Sequence, residues 1–182
     1  HLRIHPRATP VAADAASKTY GEADPALTFG ILSGSLAGGD TFTGALNRTA
    51  GESAGSYTIN RGTLAVNDNY LLSYQDAVFT IHPATLMVRA GNLSRPYMTA
   101  NPALTVTYSG FRFGDDPASV IISAPSAPTL AGLNSPVGDY EISVAGGSYS
   151  SNYVPSYQPG TLTVQAGKPV ISFSDMSKTY GG

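Results

Sequence analysis

The sequence contains neither cysteine nor tryptophan, and charged residues make up only 12% of it. Without cysteine the chain can form no disulfide and no thiolate metal site, so packing and backbone hydrogen bonds must hold it together. Because typical soluble domains have about a quarter of their residues charged, Ser, Thr, Asn, Gly and Tyr must cover much of this surface. The 10 basic and 12 acidic residues give a net charge of −2, and no stretch clusters the basic ones. We therefore expect no nucleic-acid partner, because binding to a phosphate backbone depends on clustered cations.

Long apolar runs and clustered histidines are also missing. No run approaches the roughly 20 apolar residues that cross a bilayer, and no signal-peptide pattern opens the chain, so we expect no membrane contact by this fragment. The histidines, at positions 1, 5 and 82, provide no Ser-His-Asp arrangement, and the acidic residues form no pair suited to glycoside hydrolysis. We expect no enzyme activity, no catalytic residue, no cofactor and no metal site. Since His1 stands where an initiator Met would, we interpret the chain as part of a longer protein.

What the sequence does contain is an internal repeat. Three segments align without a gap, and each ends on tyrosine: RATPVAADAASKTY (7–20), ATLMVRAGNLSRPY (84–97) and GKPVISFSDMSKTY (167–180). A period of about 80 residues indicates tandem modules, and the second copy has a loop six residues longer between its tyrosine and Gly138. We predict the last strand of a preceding repeat at 1–6, a first module at 7–83, a second at 84–166, and the start of a following repeat at 167–182.

Alternation of apolar with polar residues between Gly-rich and Pro-rich turns predicts an all-β chain. The strands are predicted at 27–32, 56–59, 63–66 and 69–81, and at 85–88, 104–108, 120–123, 139–144 and 153–164, the last with a break at Pro159. A short helical turn could follow Asp116-Pro117. Five or six strands per module fit either an immunoglobulin-like sandwich or a β-grasp-like sheet. Because the linkers are nearly absent, we expect two coaxial modules that form an elongated rod.

Recurring residues mark the expected packing and interface positions between modules. The set comprises Tyr20, Tyr97, Tyr180, Pro25, Pro102, Gly55, Gly138, Tyr57 and Tyr140. We expect the tyrosines that end each aligned segment to pack near the junction of two modules, with their hydroxyls hydrogen-bonded at the wet end. A cation also recurs, as Lys18, Arg95 and Lys178. Asp115 and Asp116 are expected in a turn rather than in a calcium site.

Several spaced motifs together resemble one known repeat. Ser-Lys-Thr-Tyr-Gly at 17–21, Pro-Ala-Leu-Thr at 25–28 and 102–105, a Gly-x-Tyr-x-Ile strand and a closing Thr-Leu-Thr-Val are similar to the MBG repeat of the YGX type. That repeat is found in large bacterial exoproteins, including filamentous-haemagglutinin-like adhesins exported by two-partner secretion. The resemblance covers residues 7–166. Met98 departs from the pattern where a Gly is usual, and we expect a different local turn there.

The resemblance implies stalk modules of a secreted bacterial surface adhesin, of the kind active in cell adhesion and biofilms. Such modules give reach and mechanical strength, carry no catalysis, and contact the neighbouring repeats of the same chain. A host glycan, matrix or partner protein would bind other parts of the parent.

Two alternatives remain at this point. In the first, the chain is a binding module whose longer loop around 123–135 contacts a glycan or protein, together with Tyr108, Tyr149 and Tyr153. In the second, exposed edge strands associate laterally.

Overall fold

The structure is a computed structural model that describes residues 5–167 and Tyr180. Predictions made for residues 1–4, 168–179 and 181–182 fall outside the described residues. Strands dominate, and the elements from the first half of the chain are β1 (Arg7–Ala13), β2 (Ala16–Thr19), β3 (Phe29–Ile31), β4 (Asn47–Arg48), β5 (Gly55–Asn60), β6 (Tyr70–Gln75) and β7 (Ala77–His82). The remaining elements are β8 (Ala84–Ala90), β9 (Leu93–Pro96), β10 (Val106–Ser109), α1 (Pro117–Val120), β11 (Ile121–Ser123), β12 (Gly138–Ile142), β13 (Ser148–Tyr149), β14 (Tyr153–Gln158) and β15 (Gly160–Gln165).

The two repeats follow one strand plan. In the first repeat, β1 lies between β3 and β6, and a second sheet has the order β2-β7-β5-β4. In the second repeat, β8 lies between β10 and β14, and β15 lies between β12 and β9. These sheets are sandwich-like, which confirms the sandwich and not the β-grasp alternative. The second repeat also has α1 and the small β11-β13 sheet.

Each repeat begins and ends with strands that pair in parallel. In the first repeat, β1 runs parallel to β6, and β2 runs parallel to β7 with Ala16 opposite Phe79. In the second repeat, β9 runs parallel to β15 with Leu93 opposite Leu162. Only Asp76 separates β6 from β7, so one continuous run contributes to both sheets of the first repeat. The pairs β5 with β7 and β12 with β15 are antiparallel.

Alternating burial along the strands builds the core. In β8 every second residue, from Ala84 to Ala90, is at most 1% exposed, because successive side chains of a strand point to opposite faces. The fully buried side chains are Val11, Ile59, Leu64, Phe79, Ile81, Leu86, Val88, Val120, Ile142, Leu162 and Val164. Burial of each large apolar side chain contributes about 1.5–3 kcal/mol, which has to offset the entropy of ordering a chain without disulfides.

The described residues divide into two compact units. Residues 5–86, 109–123 and 148–156 form the first unit, and residues 87–108, 124–147 and 157–167 form the second. The first unit therefore contains the whole first repeat together with α1, β11, β13 and the start of β14. The module boundaries at 83 and 84 remain a prediction from the sequence repeat.

Most predicted strands are present, with boundaries shifted by at most two residues. The predicted strand at 120–123 is one residue shorter in the structure, because Val120 is the last residue of α1 and β11 begins at Ile121. α1 begins after Asp116 as expected, with a capping box in which Asp116 and Ser119 bond each other's backbone N–H. The prediction of a strand at 63–66 was wrong, since only Ala65 pairs there, in an isolated bridge with Thr43.

The expectation of a different turn at Met98 was also wrong. Gly21 has a φ of 89° and Met98 has a φ of 63°, so both residues adopt the left-handed conformation. The same turn closes each site, from Glu22 N to Thr19 O at 3.0 Å and from Thr99 N to Pro96 O at 3.3 Å. The preceding parallel strand pair sets the turn, and Met98 accepts a conformation that normally favours glycine.

Candidate functional site

A tyrosine from the end of β2 is the centre of a cluster within the first compact unit. Tyr20 is 7% exposed, and its backbone N–H donates to the carbonyl of His82 at 2.8 Å. Its ring meets the rings of Phe113 and Tyr153 edge to face, with centroid distances of 5.3 and 5.5 Å. Such pairs contribute about 0.5–1.5 kcal/mol beyond the apolar area that they bury. We call Tyr20, Arg112, Phe113, Asp115 and Tyr153 the tyrosine junction, because it joins residues of the two repeats.

One carboxylate oxygen holds both phenols of the junction. The Tyr20 hydroxyl donates to Asp115 Oδ2 at 3.1 Å, and the Tyr153 hydroxyl donates to the same oxygen at 2.7 Å. The backbone N–H of Arg112 donates to the Tyr153 hydroxyl oxygen at 2.8 Å. Burial, then the hydrogen bond to Asp115, raises the pKa of Tyr153 to about 12 and raises the pKa of Tyr20. Both phenols are therefore neutral hydrogen-bond donors near neutral pH.

Further contacts bring segments of the two repeats together in this unit. The Ala54 N–H of the first repeat donates to Asn152 Oδ1 of the second at 2.8 Å. Asn152 is itself held within the second repeat, where its carbonyl accepts from the Ala84 N–H at 2.9 Å. A Cβ at Gly21 would lie 2.6 Å from the Cβ of Arg112, so this glycine permits close approach. Because only Pro83 separates β7 from β8, the covalent link is short and these contacts restrict it further.

A second cluster of charges lies beside β2 in the first repeat. Lys18, which is 7% exposed, donates to Asp24 at 2.7 Å and also pairs with Glu52. Arg48 donates to Asp24 at 2.5 Å and to Glu52 at 2.6 Å. The Arg48 guanidinium also lies over the ring of Phe79, with its Cζ 4.9 Å from the centroid. We call Lys18, Asp24, Arg48 and Glu52 the ion cluster.

The pKa values of the ion cluster reflect this mutual pairing. The hydrogen bond from Arg48, aided by Lys18 and opposed by burial, lowers the pKa of Asp24 from 3.8 to about 2. The hydrogen bond from Lys18 is the main cause that lowers the pKa of Glu52. Burial opposes the charge of Lys18, yet its hydrogen bonds to the two carboxylates raise its pKa. All four groups are therefore charged near neutral pH, as a buried cation requires.

The second repeat also buries a cation at this position, but the partners of that cation are not carboxylates. Arg95, at the position of Lys18, is 3% exposed. Its Nε donates to Asn101 Oδ1 at 2.6 Å, and its Nη2 donates to the carbonyl of Gly132 at 2.5 Å. Asn101, at the position of Asp24, donates in turn to the carbonyl of Ala131 at 2.6 Å. The recurring cation thus keeps its burial while its partners change from charged to neutral.

The tyrosines and glycines predicted as packing residues take matching positions in the two repeats. The Tyr57 hydroxyl donates to the carbonyl of Ser53 at 2.7 Å, and the Tyr140 hydroxyl donates to the carbonyl of Pro136 at 2.9 Å. Gly55 and Gly138 each open a strand with the same φ of 153°. Of the other predicted residues, Tyr97 is 41% exposed, Pro25 is exposed, Pro102 is half-buried and Tyr180 is fully exposed.

The tyrosines of the alternative ligand site do not share one exposed surface. Tyr153 is only 5% exposed and belongs to the tyrosine junction, so it has no ring face for a ligand. Tyr108 and Tyr149 are half-buried, and burial raises the pKa of Tyr108. A groove of about 490 Å³ lies in the second unit instead, beside the longer loop, and is lined by residues that include Thr129, Leu130, Tyr140 and Glu141.

Several residues of these clusters were not predicted from the sequence. Asp115 was expected only in a turn, and Phe113, Arg48 and Glu52 were not singled out. The recurrence of a cation as Lys18 and Arg95 was the available signal for the ion cluster, because a buried cation needs partners. Within the part of the chain that the structure describes, no group of three or more His, Asp or Glu residues could hold a metal ion.

The repeated strand plan and the tyrosine junction define an all-β tandem-repeat protein. The chain belongs to the family described as MBG domain (YGX type), whose model matches residues 10–80 and 86–163. This match indicates a repeat module of a bacterial adhesin-like protein of the extracellular type. A search of curated proteins and a search of solved structures each found no match. Among the described residues, no helix is long and apolar enough to span a membrane.

Proposed function

We propose that this chain is a non-catalytic, load-bearing stalk segment of a secreted bacterial surface adhesin, with neighbouring repeats of the same chain as its partners. The observation that carries the proposal is the parallel pairing of the second strand of each repeat with its last strand, β2 with β7 and β9 with β15. Tension applied between the start of β1 and the end of β7 pulls β2 and β7 along each other. Their hydrogen bonds are then loaded together, in shear.

The short connection between the repeats supports the same role. With only Pro83 between β7 and β8, tension passes from one strand to the next without a flexible linker. The tyrosine junction adds hydrogen bonds and ring contacts between residues that precede this connection and residues that follow it. The family match supports the adhesin-like setting, and export by two-partner secretion and a role in biofilms belong to the proposal.

Single-molecule pulling in two directions tests the proposal. Because the chain has no cysteine, handles can be attached through Cys at chosen positions. Handles on Arg7→Cys and His82→Cys load β2 and β7 in shear. Handles on Arg61→Cys and Asp76→Cys lie at one end of the antiparallel pair β5 and β7, in which Ile59 faces Ala77, and peel it bond by bond.

We expect the shear direction to need a several-fold higher unfolding force than the peeling direction. The same variants in a urea titration provide the control, since both should keep the free energy of unfolding of the original chain. Equal forces in the two directions, or a featureless low-force trace in shear, would contradict a load-bearing role.

A second candidate function is the binding of a glycan or protein at the groove of the second unit. Leu130 in the lining of that groove is 99% exposed, and the same lining contains Tyr140 and the acidic Glu141. A glycan and protein array should then give saturable binding that Leu130→Ala abolishes and that Leu133→Ala, an exposed residue outside the groove lining, leaves intact. Absence of saturable binding would remove this candidate.

A further inference from the structure

A cavity of about 530 Å³ lies at the beginning of the first repeat. Its lining includes residues 5–7, together with Ala37, Asp40, Asn69 and Tyr70. All of these residues belong to the first compact unit. Nothing in the tyrosine junction or the ion cluster uses this cavity.

The wall of this cavity repeats the hydrogen-bonding pattern of the tyrosine junction. The Ala37 N–H donates to the Tyr70 hydroxyl oxygen at 2.6 Å, and that hydroxyl donates to Asp40 Oδ2 at 2.8 Å. The Asp40 N–H donates to the carbonyl of Ala37 at 3.0 Å. In the second repeat, Arg112, Asp115 and Tyr153 make the same three bonds, at 2.8, 2.7 and 2.9 Å.

The main chain beside the two sites matches as well. The Arg7 N–H donates to the carbonyl of Asn69 at 2.9 Å, as the Ala84 N–H donates to the carbonyl of Asn152 at 2.9 Å. One wall differs, since Gly38 stands where the junction has Phe113. The larger difference is the occupant, because Tyr20 fills the site in the second repeat, with its hydroxyl on the shared carboxylate.

An equivalent of Tyr20 stands exposed elsewhere in the chain. Tyr97 follows β9 as Tyr20 follows β2, and its N–H donates to the carbonyl of Gln165 at 2.8 Å, as that of Tyr20 does to His82. Yet Tyr97 is 41% exposed and the adjacent Met98 is 55% exposed, against 7% for Tyr20. The second repeat therefore presents the same side chain on the same backbone without the cover that Tyr20 has.

We propose that the cavity at Ala37, Asp40 and Tyr70 is a docking site for the side chain of Tyr97 from a second copy of this chain placed immediately before residue 7. The phenol of Tyr97 would lie against the ring of Tyr70 and donate to Asp40, as Tyr20 does to Asp115. The amide oxygen of Asn69 would accept a hydrogen bond from the backbone N–H of Val137. Val137 corresponds to Ala54, and the residue is 59% exposed. This inference rests on the proposed stalk function, since it supplies the contact by which successive repeats stack.

A concatemer of two copies tests the docking, with Ala166 of the upstream copy followed directly by Arg7 of the downstream copy. Tetranitromethane nitrates exposed tyrosines, and peptide mass spectrometry reads the yield at each position. Relative to Tyr157, which is 37% exposed, the nitration of Tyr97 should fall by half between the single chain and the concatemer, because one of two copies becomes covered. Tyr20 should react in neither protein. An unchanged ratio of Tyr97 to Tyr157 would overturn the proposal.

Two aspartates of the cavity provide a matched pair of variants. In the downstream copy, Asp40→Ala removes the carboxylate that receives the phenol and should return Tyr97 to full nitration. Asp68→Ala, which removes another carboxylate of the cavity lining, should leave the protection unchanged. Protection that survives Asp40→Ala, or that is lost with Asp68→Ala, would contradict the assigned geometry. The two-direction pulling experiment uses the single chain, whereas the nitration experiment uses the concatemer. A negative result for the stalk function can therefore be distinguished from a negative result for docking.

Discussion

Lys18 and Arg95 occupy the same position in two successive repeats, yet their cations are balanced in different ways. Lys18 pairs with the carboxylates of Asp24 and Glu52, whereas Arg95 is held by the amide of Asn101 and the carbonyl of Gly132. A buried cation whose partners are lost costs several kcal/mol. The two repeats therefore bury the same charge at the same place, and only one of them depends on ionised partners.

Acid should weaken the first repeat through Asp24. Its folded-state pKa is lowered to about 2 from 3.8, so its stabilising effect is fully present above about pH 4 and is lost as the pH falls toward 2. The carboxylate is 37% exposed, so solvent screening reduces this contribution to about 1 kcal/mol. Asp24→Asn should flatten the loss of unfolding free energy between about pH 5 and pH 2 in urea titrations followed by circular dichroism. Asp68→Asn, at an exposed aspartate, should follow the original chain, and a curve for Asp24→Asn that keeps the full acid loss would contradict the prediction.

The tyrosine junction should respond in two steps to substitutions of Tyr20. Tyr20→Phe keeps the ring but removes the hydrogen bond to the Asp115 carboxylate, so we expect a loss of about 1.5–3 kcal/mol. Tyr20→Ala also removes the contacts with Phe113 and Tyr153, so the loss should reach about 3–5 kcal/mol. Urea unfolding monitored by tyrosine fluorescence measures both. Tyr97→Ala at the equivalent exposed position is the matched control, and a loss there as large as at Tyr20 would argue against a specific junction.

A reciprocal pair of substitutions tests the turn after each of these tyrosines. Met98→Gly should stabilise the chain by up to about 1 kcal/mol. A left-handed conformation costs a non-glycine residue about 1–2 kcal/mol, and the greater conformational entropy of glycine in the unfolded chain offsets part of the gain. Gly21→Ala should destabilise it, since φ is 89° and the added Cβ would meet Arg112 at 2.6 Å. Thermal melting of the two variants should shift in opposite directions. A shift of the same sign for both would mean that the turn conformation does not set their stability.

Sequence patterns predicted the repeat, the all-β class and most strands, because alternation and turn residues are local features. They missed β1 and the two-residue strands β4 and β13. They also missed β2 and β9, whose residues Ser17, Lys18 and Thr19, or Ser94 and Arg95, look polar. The burial of Lys18 depends on Glu52, which is distant in sequence, and no local pattern carries that information. The junction was missed for the same reason, since Asp115 reads as a turn residue until Tyr20 and Tyr153 are seen to share its carboxylate.

Substitutions of Tyr57 and Tyr140 should distinguish the effect of a hydrogen bond that both tyrosines make from the effect of a cation that lies beside Tyr57. Both hydroxyls donate to the carbonyl four residues earlier, so Tyr57→Phe and Tyr140→Phe should each cost about 1 kcal/mol of unfolding free energy. Only Tyr57 also has a guanidinium over its ring, with Arg48 Cζ 5.3 Å from the centroid, a contact of about 0.5–1 kcal/mol at such sites.

Removal of the rings should therefore cost more at Tyr57 than at Tyr140. In a double-mutant cycle, Arg48→Met should reduce the cost of Tyr57→Leu and leave the cost of Tyr140→Leu unchanged. Equal coupling at both tyrosines would mean that the loss reflects general packing. If Arg48 couples to Tyr57 alone, the ion cluster stabilises the loop that precedes β5 through the ring as well as through Asp24 and Glu52.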